Sequence, residues 1–122
     1  MNAVNWFEIP ASNYERAAAF YETVLSIKLK ADNEFAGLKM GIFPYADGKV
    51  GGAVVAGEGH QPGSGGTLVY LPAHELDAVL SRVESAGGQI ILPRTTIAPE
   101  IGDIAIVRDT EGNHVGLHRP PM

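Results

Sequence analysis

At 122 residues, with 45% apolar and 19% charged side chains, the chain has the length and balance of one folded domain and is too apolar to stay disordered. A net charge of −5 leaves no basic surface for gathering phosphates, which excludes nucleic acid as an expected partner. The absence of cysteine excludes a disulfide framework, a thiolate nucleophile and cysteine-held zinc, and no exported leader or membrane-length apolar run occurs, so a cytoplasmic protein with no membrane segment is expected.

The first element is a strand of bulky β-formers, Trp6-Phe7-Glu8-Ile9, expected to stop at Pro10 because proline removes a ladder donor. Ser12 or Asn13 then caps a helix predicted over 14–25, where Ala17, Phe20, Tyr21, Val24 and Leu25 recur on one face. Three short strands are predicted at 28–29, 38–43 and 51–55, broken by turns at Ala31-Asp32-Asn33 and Tyr45-Ala46-Asp47-Gly48. The glycine-rich stretch 57–66 reads as a flexible connector.

The order then restarts. A strand at 67–71 again meets a proline, a helix over 75–86 carries Leu76, Val79, Leu80 and Val83 on one face, and Gly87-Gly88 ends it. Strands at 89–92, 104–107 and 115–118 follow, with Asp109-Thr110-Glu111-Gly112-Asn113 as the last turn. Glu8-Ile9-Pro10-Ala11 aligns with Tyr70-Leu71-Pro72-Ala73, and Gly48 and Gly52 align with Gly112 and Gly116, the second pair offset by two more residues. The expected architecture is α+β: two βαβββ modules, about 1–56 and 67–122, in one domain, each burying a sheet face that it cannot cover alone.

The string Phe7-Glu8-Ile9-Pro10 through Arg16-Ala17-Ala18-Ala19-Phe20-Tyr21-Glu22-Thr23-Val24-Leu25, with the Asp109 to Asn113 turn, resembles the vicinal oxygen chelate superfamily of glyoxalases, bleomycin resistance proteins and extradiol dioxygenases. The resemblance covers nearly the whole chain. It implies curved mixed sheets around a cleft, often completed by a homodimer, and a divalent metal held by His, Glu or Gln on the first and last strands of each module. Carried over from the Phe-Tyr pair and the Gly-Asn turn, those positions fall on Trp6, Leu68, Gly116 and Gly52. None offers the carboxylate or imidazole that such a cation needs, so a metal-dependent dioxygenase is not expected, nor is any metal or other cofactor.

Strand alternation puts Trp6, Glu8 and Pro10 on one face, which on this register looks into the cleft. There Glu8 is a candidate general base or an anchor for an amine, against the plainer alternatives of a surface ion pair or a solvated sheet edge. His114, Gly116 and His118 share a face of the last strand, so His118 is either an acid partner for Glu8 or an ordinary edge histidine. His60 or His114 with Glu8 and His118 has the donor types for a displaced metal site but not the spacing. Tyr70 lies opposite Glu8 in the repeat and supplies, with Trp6, either an aromatic wall or core packing. The stretch 95–102 reads as a loop at the cleft mouth, where Arg94 and Glu100 either meet a polar ligand or form surface ion pairs.

There is no phosphate loop in strand-to-helix context and no nucleophile elbow. Three functions remain: binding of a small organic molecule in a metal-free cleft, a metal-independent isomerase or lyase with Glu8 as base, and an interaction module.

Overall fold

The computed structural model describes residues 2–32 and 37–121. Its first strand, β1 (Trp6–Ala11), runs through Pro10 instead of stopping there. The reason is position: β1 is an edge strand, where a missing N–H breaks no ladder. Pro72 closes β5 (Tyr70–Pro72), the edge strand of the second sheet, in the same way.

Helix α1 (Tyr14–Leu25) follows, with the Asn13 side chain accepting from the Arg16 amide at 3.0 Å and Ser26 closing it in the left-handed region. Then come β2 (Lys30–Asp32), β3 (Lys39–Ile42) and β4 (Gly51–Ala56). The turn expected at 31–33 is therefore strand as far as Asp32, and Asn33 lies outside the described residues. In the second half β5 is followed by α2 (Leu76–Ser81), β6 (Gln89–Ala98), β7 (Gly102–Arg108) and β8 (His114–Arg119).

Two expectations need correction here. The helix expected over 75–86 gives way after Ser81 to tight turns, with Arg82, Val83, Ala86 and Gly87 each donating to a carbonyl three residues earlier. The loop expected at 95–102 is mostly strand: Thr95, Thr96 and Ala98 pair with Ile104, Asp103 and Gly102, leaving a short hairpin turn. Gly102, at φ 102°, allows that turn where a side chain would meet the Arg119 carbonyl.

The strand orders are β1-β4-β3-β2 and β5-β8-β7-β6, with β1 and β5 parallel to their neighbours and the other pairs antiparallel. The repeated βαβββ order, two helices and two mixed four-stranded sheets make the α+β fold. One core joins the halves. Ile9, Ala11 and Val54 from the first sheet, Phe20, Tyr21 and Val24 from α1, Leu76, Val79 and Val83 around α2, and Leu71, Val107 and Leu117 from the second sheet pack together. The Arg82 guanidinium adds a polar tie, donating to the Val24 carbonyl at 2.9 and 3.1 Å. Both sheets thus turn one face toward the shared helices, so the alternate residues, Trp6 and Glu8 on β1 and Tyr70 on β5, sit on the helix-free faces and are exposed.

Candidate functional sites on the two sheets

Sheet parity places Trp6, Glu8 and Pro10 on the helix-free face beside their β4 partners Gly51, Ala53 and Val55. The Trp6 indole Nε1 lies 3.4 Å from Glu8 Oε2, and the other carboxylate oxygen is 2.9 Å from His60 Nε2. His60 lies in the stretch between the modules, and its amide donates to Gly57 O at 3.1 Å. Tyr45 completes the corner. Its ring meets the Trp6 ring edge to face, with centroids 6.0 Å apart at 79°, and occupies the place where a Cβ on Gly51 would stand.

The stretch expected to be a flexible connector is tethered. Beyond the His60 contact, Gly63 N–H donates to Asn113 Oδ1 at 3.0 Å. A recess of about 480 Å³ opens there, lined by Glu8, Pro10, residues 61–67, Asn113 and His114 among others.

The opposite face of β1 lines a different space. Phe7, Phe43, Leu25, Ile27 and Gly52 on one side and Leu68, Val69 and Tyr70 on the other enclose a groove of about 580 Å³ with, among the described residues, no charged one in its wall. Gly52 pairs with Phe7, not with Trp6, and the Phe7 ring lies where a Gly52 Cβ would stand. The placement of Gly52 on the Trp6 face is thereby corrected. Since Tyr70 pairs with Gly116 and Glu8 with Ala53, the counterpart of Gly116 in the first module is Ala53. The glycine at 52 serves ring packing, and its match to Gly116 in the sequence is a coincidence of composition.

In the second sheet the Tyr70 ring covers Gly116, as expected for neighbours on one face. His118 shares that face but lies near the hairpin turn, its Nε2 2.7 Å from the Ile101 carbonyl. The histidine beside Glu8 is therefore His60, and His118 has no contact with it. Arg94 spans Asp103 at 2.6 Å and Asp77 at 2.9 Å, fastening the β6–β7 hairpin to α2, while Glu100 is exposed in the hairpin turn. The hydrogen bonds to Asp103 and Asp77 push the Arg94 pKa further up, and those from Thr96 and Arg94 lower that of Asp103.

The Asp109 to Asn113 turn is a structural knot. Asp109 accepts from the buried Tyr21 hydroxyl at 2.5 Å, from the amides of Glu111 and Asn113, and from Asn113 Nδ2, which also donates to Pro10 O at 2.7 Å. Burial, then the Asp109 charge, raises the Tyr21 pKa well above its usual value, so the phenol remains a donor. Glu111 caps the start of α1 through the amides of Ser12 and Asn13 and binds Arg16 at 2.7 Å. Burial opposes its charge, but the Arg16, Asn13, Thr110 and Ser12 hydrogen bonds outweigh that and hold the carboxyl at about 2.

The family's metal can now be tested against these positions. The Trp6 indole only donates, Leu68 and Gly116 have no lone pair to offer, and Ala53, the true partner of Gly116, has none either. Among the described residues no three His, Cys, Asp or Glu side chains gather around a point that an ion could occupy. These residues do not fit a resident metal. Among them, too, no helix is long and apolar enough to cross a membrane.

Paired βαβββ modules with two helix-free sheet faces define a protein of the glyoxalase-like class of folds. Residues 3–117 match the family model of the Glyoxalase/Bleomycin resistance protein/Dioxygenase superfamily, and the chain belongs to that superfamily. The chain is 28% identical over 116 residues to the putative glyoxylase CFP32 of Mycobacterium bovis, covering 94% of this chain but spanning only 43% of that relative. It is 27% identical over 120 residues to a glyoxylase-like domain-containing protein of Didymella fabae, covering 96% and 94% of the two chains. Among solved structures, a glyoxalase/bleomycin resistance protein from Albidiferax ferrireducens superposes with a TM-score of 0.72 at 18% identity, covering 98% and 100% of the two chains.

Proposed function

We propose that the protein binds a small, largely uncharged organic molecule without a resident metal, in the groove between the β1–β4 face and β5. The observation that carries this reading is the groove itself: about 580 Å³, walled by Phe7, Phe43, Leu68 and Tyr70 with no charge among the described residues, in the size range of small-molecule sites. Three of the residues singled out as ligand contacts, Gly52, Leu68 and Tyr70, line it. The chemistry of Trp6, Leu68 and Gly116 supports the metal-free part.

A homodimer belongs to the same proposal. Ile90, Ile91, Ile97 and Ile101, on β6 and its hairpin turn, stand exposed, a load of large apolar side chains that a second copy would cover. Light scattering behind gel filtration tests it, and a monomer at micromolar concentration refutes it.

The test of binding is a thermal-shift screen of uncharged aromatic and alicyclic compounds, with metal content measured on the same preparation. A ligand at a hundred times its Kd stabilises by about 2.7 kcal/mol. Leu68→Glu puts a charge into the groove from an exposed position, so it should abolish the shift without lowering the unliganded Tm. Stoichiometric Zn, Ni, Fe or Mn, or a shift that survives the substitution, refutes the reading.

A second reading, a metal-independent isomerase or lyase, is favoured by the hydrogen-bonded Glu8–His60 pair, which supplies a base and a proton donor side by side. Turnover with a bell-shaped pH profile lost in Glu8→Gln would decide for it.

A further inference from the structure

We propose that the Trp6 corner of the first sheet recognises an organic cation, an alkylammonium group borne by a small molecule. Because neighbouring residues of a strand face opposite ways, this corner lies on the other side of β1 from the groove, and it stands or falls separately.

The corner has the parts such a group needs. Two aromatic rings, Trp6 at 37% exposure and Tyr45 at 51%, meet edge to face at 79° with centroids 6.0 Å apart, each keeping part of its surface open to solvent. The negative faces of aromatic rings attract a cation, and indole is the strongest of them. The arrangement depends on Gly51, whose missing side chain lets the Tyr45 ring lie against the sheet directly beside Trp6. Glu8 adds a carboxylate group, one oxygen 3.4 Å from the indole nitrogen.

Core packing does not account for this corner. Ala53 and Val55, on the same face of the next strand, are fully buried, whereas the largest apolar side chain of the chain remains over a third exposed. Nor does an ion pair with a permanent cation, since among the described residues Glu8 pairs with His60 and with no Lys or Arg. His60 is a positioning residue that fixes the carboxylate at 2.9 Å. An inorganic ion is disfavoured because, among the described residues, no third His, Cys, Asp or Glu side chain joins Glu8 and His60. The net charge of −5 adds a long-range pull on any cation.

Trp6 is the single tryptophan, so its emission reports directly on the corner. The probes are choline and 3,3-dimethylbutan-1-ol, which has the same shape with carbon in place of the charged nitrogen. Choline should quench Trp6 saturably and bind at least about fivefold more tightly than the alcohol, the scale of a partly exposed cation–aromatic contact. Glu8→Gln and Tyr45→Leu should each weaken choline while leaving the Tm near that of the parent protein, both side chains being exposed. His60→Gln, which keeps a hydrogen-bond donor, should retain it. Leu68→Glu closes the groove and should leave choline binding intact, so failure of the groove reading and of this one are separable. Equal response to the two probes, no saturable quenching by choline, or unchanged affinity in Glu8→Gln would overturn the proposal.

Discussion

Replacing Tyr21 with phenylalanine removes one oxygen from the tightest polar contact of the core and should cost about 2 kcal/mol of folding free energy. The Tyr21 ring is 2% exposed, and its hydroxyl donates to an Asp109 carboxylate that is itself 3% exposed. A hydrogen bond to a charged group contributes about 1.5–3 kcal/mol, and here the acceptor keeps three other donors, two backbone amides and Asn113 Nδ2, which places Tyr21→Phe inside that range instead of above it. Asp109→Ala strands all four donors at once and should cost more, about 3–5 kcal/mol. Because the two changes break a shared bond, the double substitution should be less damaging than the two effects added, by about 1–2 kcal/mol. Urea unfolding followed by circular dichroism measures all three, the midpoint falling while the slope stays constant. A cost below about 0.5 kcal/mol for Tyr21→Phe, or strict additivity, would refute the view that the turn at 109–113 and helix α1 are locked through this contact.

The Glu111 carboxyl, held at about 2 against 4.5 in its ordinary state, contributes stability that is complete above about pH 4.5 and lost as the pH falls toward 2. The loss is about 2 kcal/mol once the contribution of Arg16, half-exposed to solvent, is discounted, and Glu111→Gln should flatten the urea midpoint between pH 5 and pH 3 while lowering it at pH 7. An unchanged pH profile in that variant would place the acid sensitivity elsewhere. Gly102→Ala combines a left-handed φ of 102° with a clash against the Arg119 backbone carbonyl, so it should destabilise by about 2–3 kcal/mol, whereas Gly63→Ala, with open space around the position, should leave the Tm unchanged or raise it slightly. Differential scanning calorimetry on the pair separates a glycine the backbone requires from one it does not.

How much of this was legible in the sequence follows from the length scale of each signal. The repeated βαβββ order was readable because a strand, its proline and the helix behind it form a local string, repeated from Glu8-Ile9-Pro10-Ala11 to Tyr70-Leu71-Pro72-Ala73. The extent of β6 was not, because Thr95 to Ala98 carries no alternation: it pairs with β7 through three register shifts, each of which resets which side chain faces in. Parity alone put Glu8 on one face with Trp6 and Pro10, but not its partner, since His60 is 52 residues away in a stretch whose glycines read as slack.

The misplacement of Gly52 is the more instructive case. A strand has a side-chain period of two, so an alignment error of one residue moves a position through the sheet to its other side. Glycine invites that error because it occurs for unrelated reasons: under Phe7 at Gly52, under Tyr45 at Gly51, under Tyr70 at Gly116. What is common to the three is a ring lying on bare backbone, and in each sheet that ring belongs to the strand or loop facing a candidate ligand space. Gly52 and Gly116, which sequence comparison treats as empty ligand positions, are thus the floor under the rings of the groove, while Gly51 is the floor under Tyr45; adding a methyl group at Gly51 should disturb the Trp6 corner, and adding one at Gly116 should displace Tyr70 from the groove mouth.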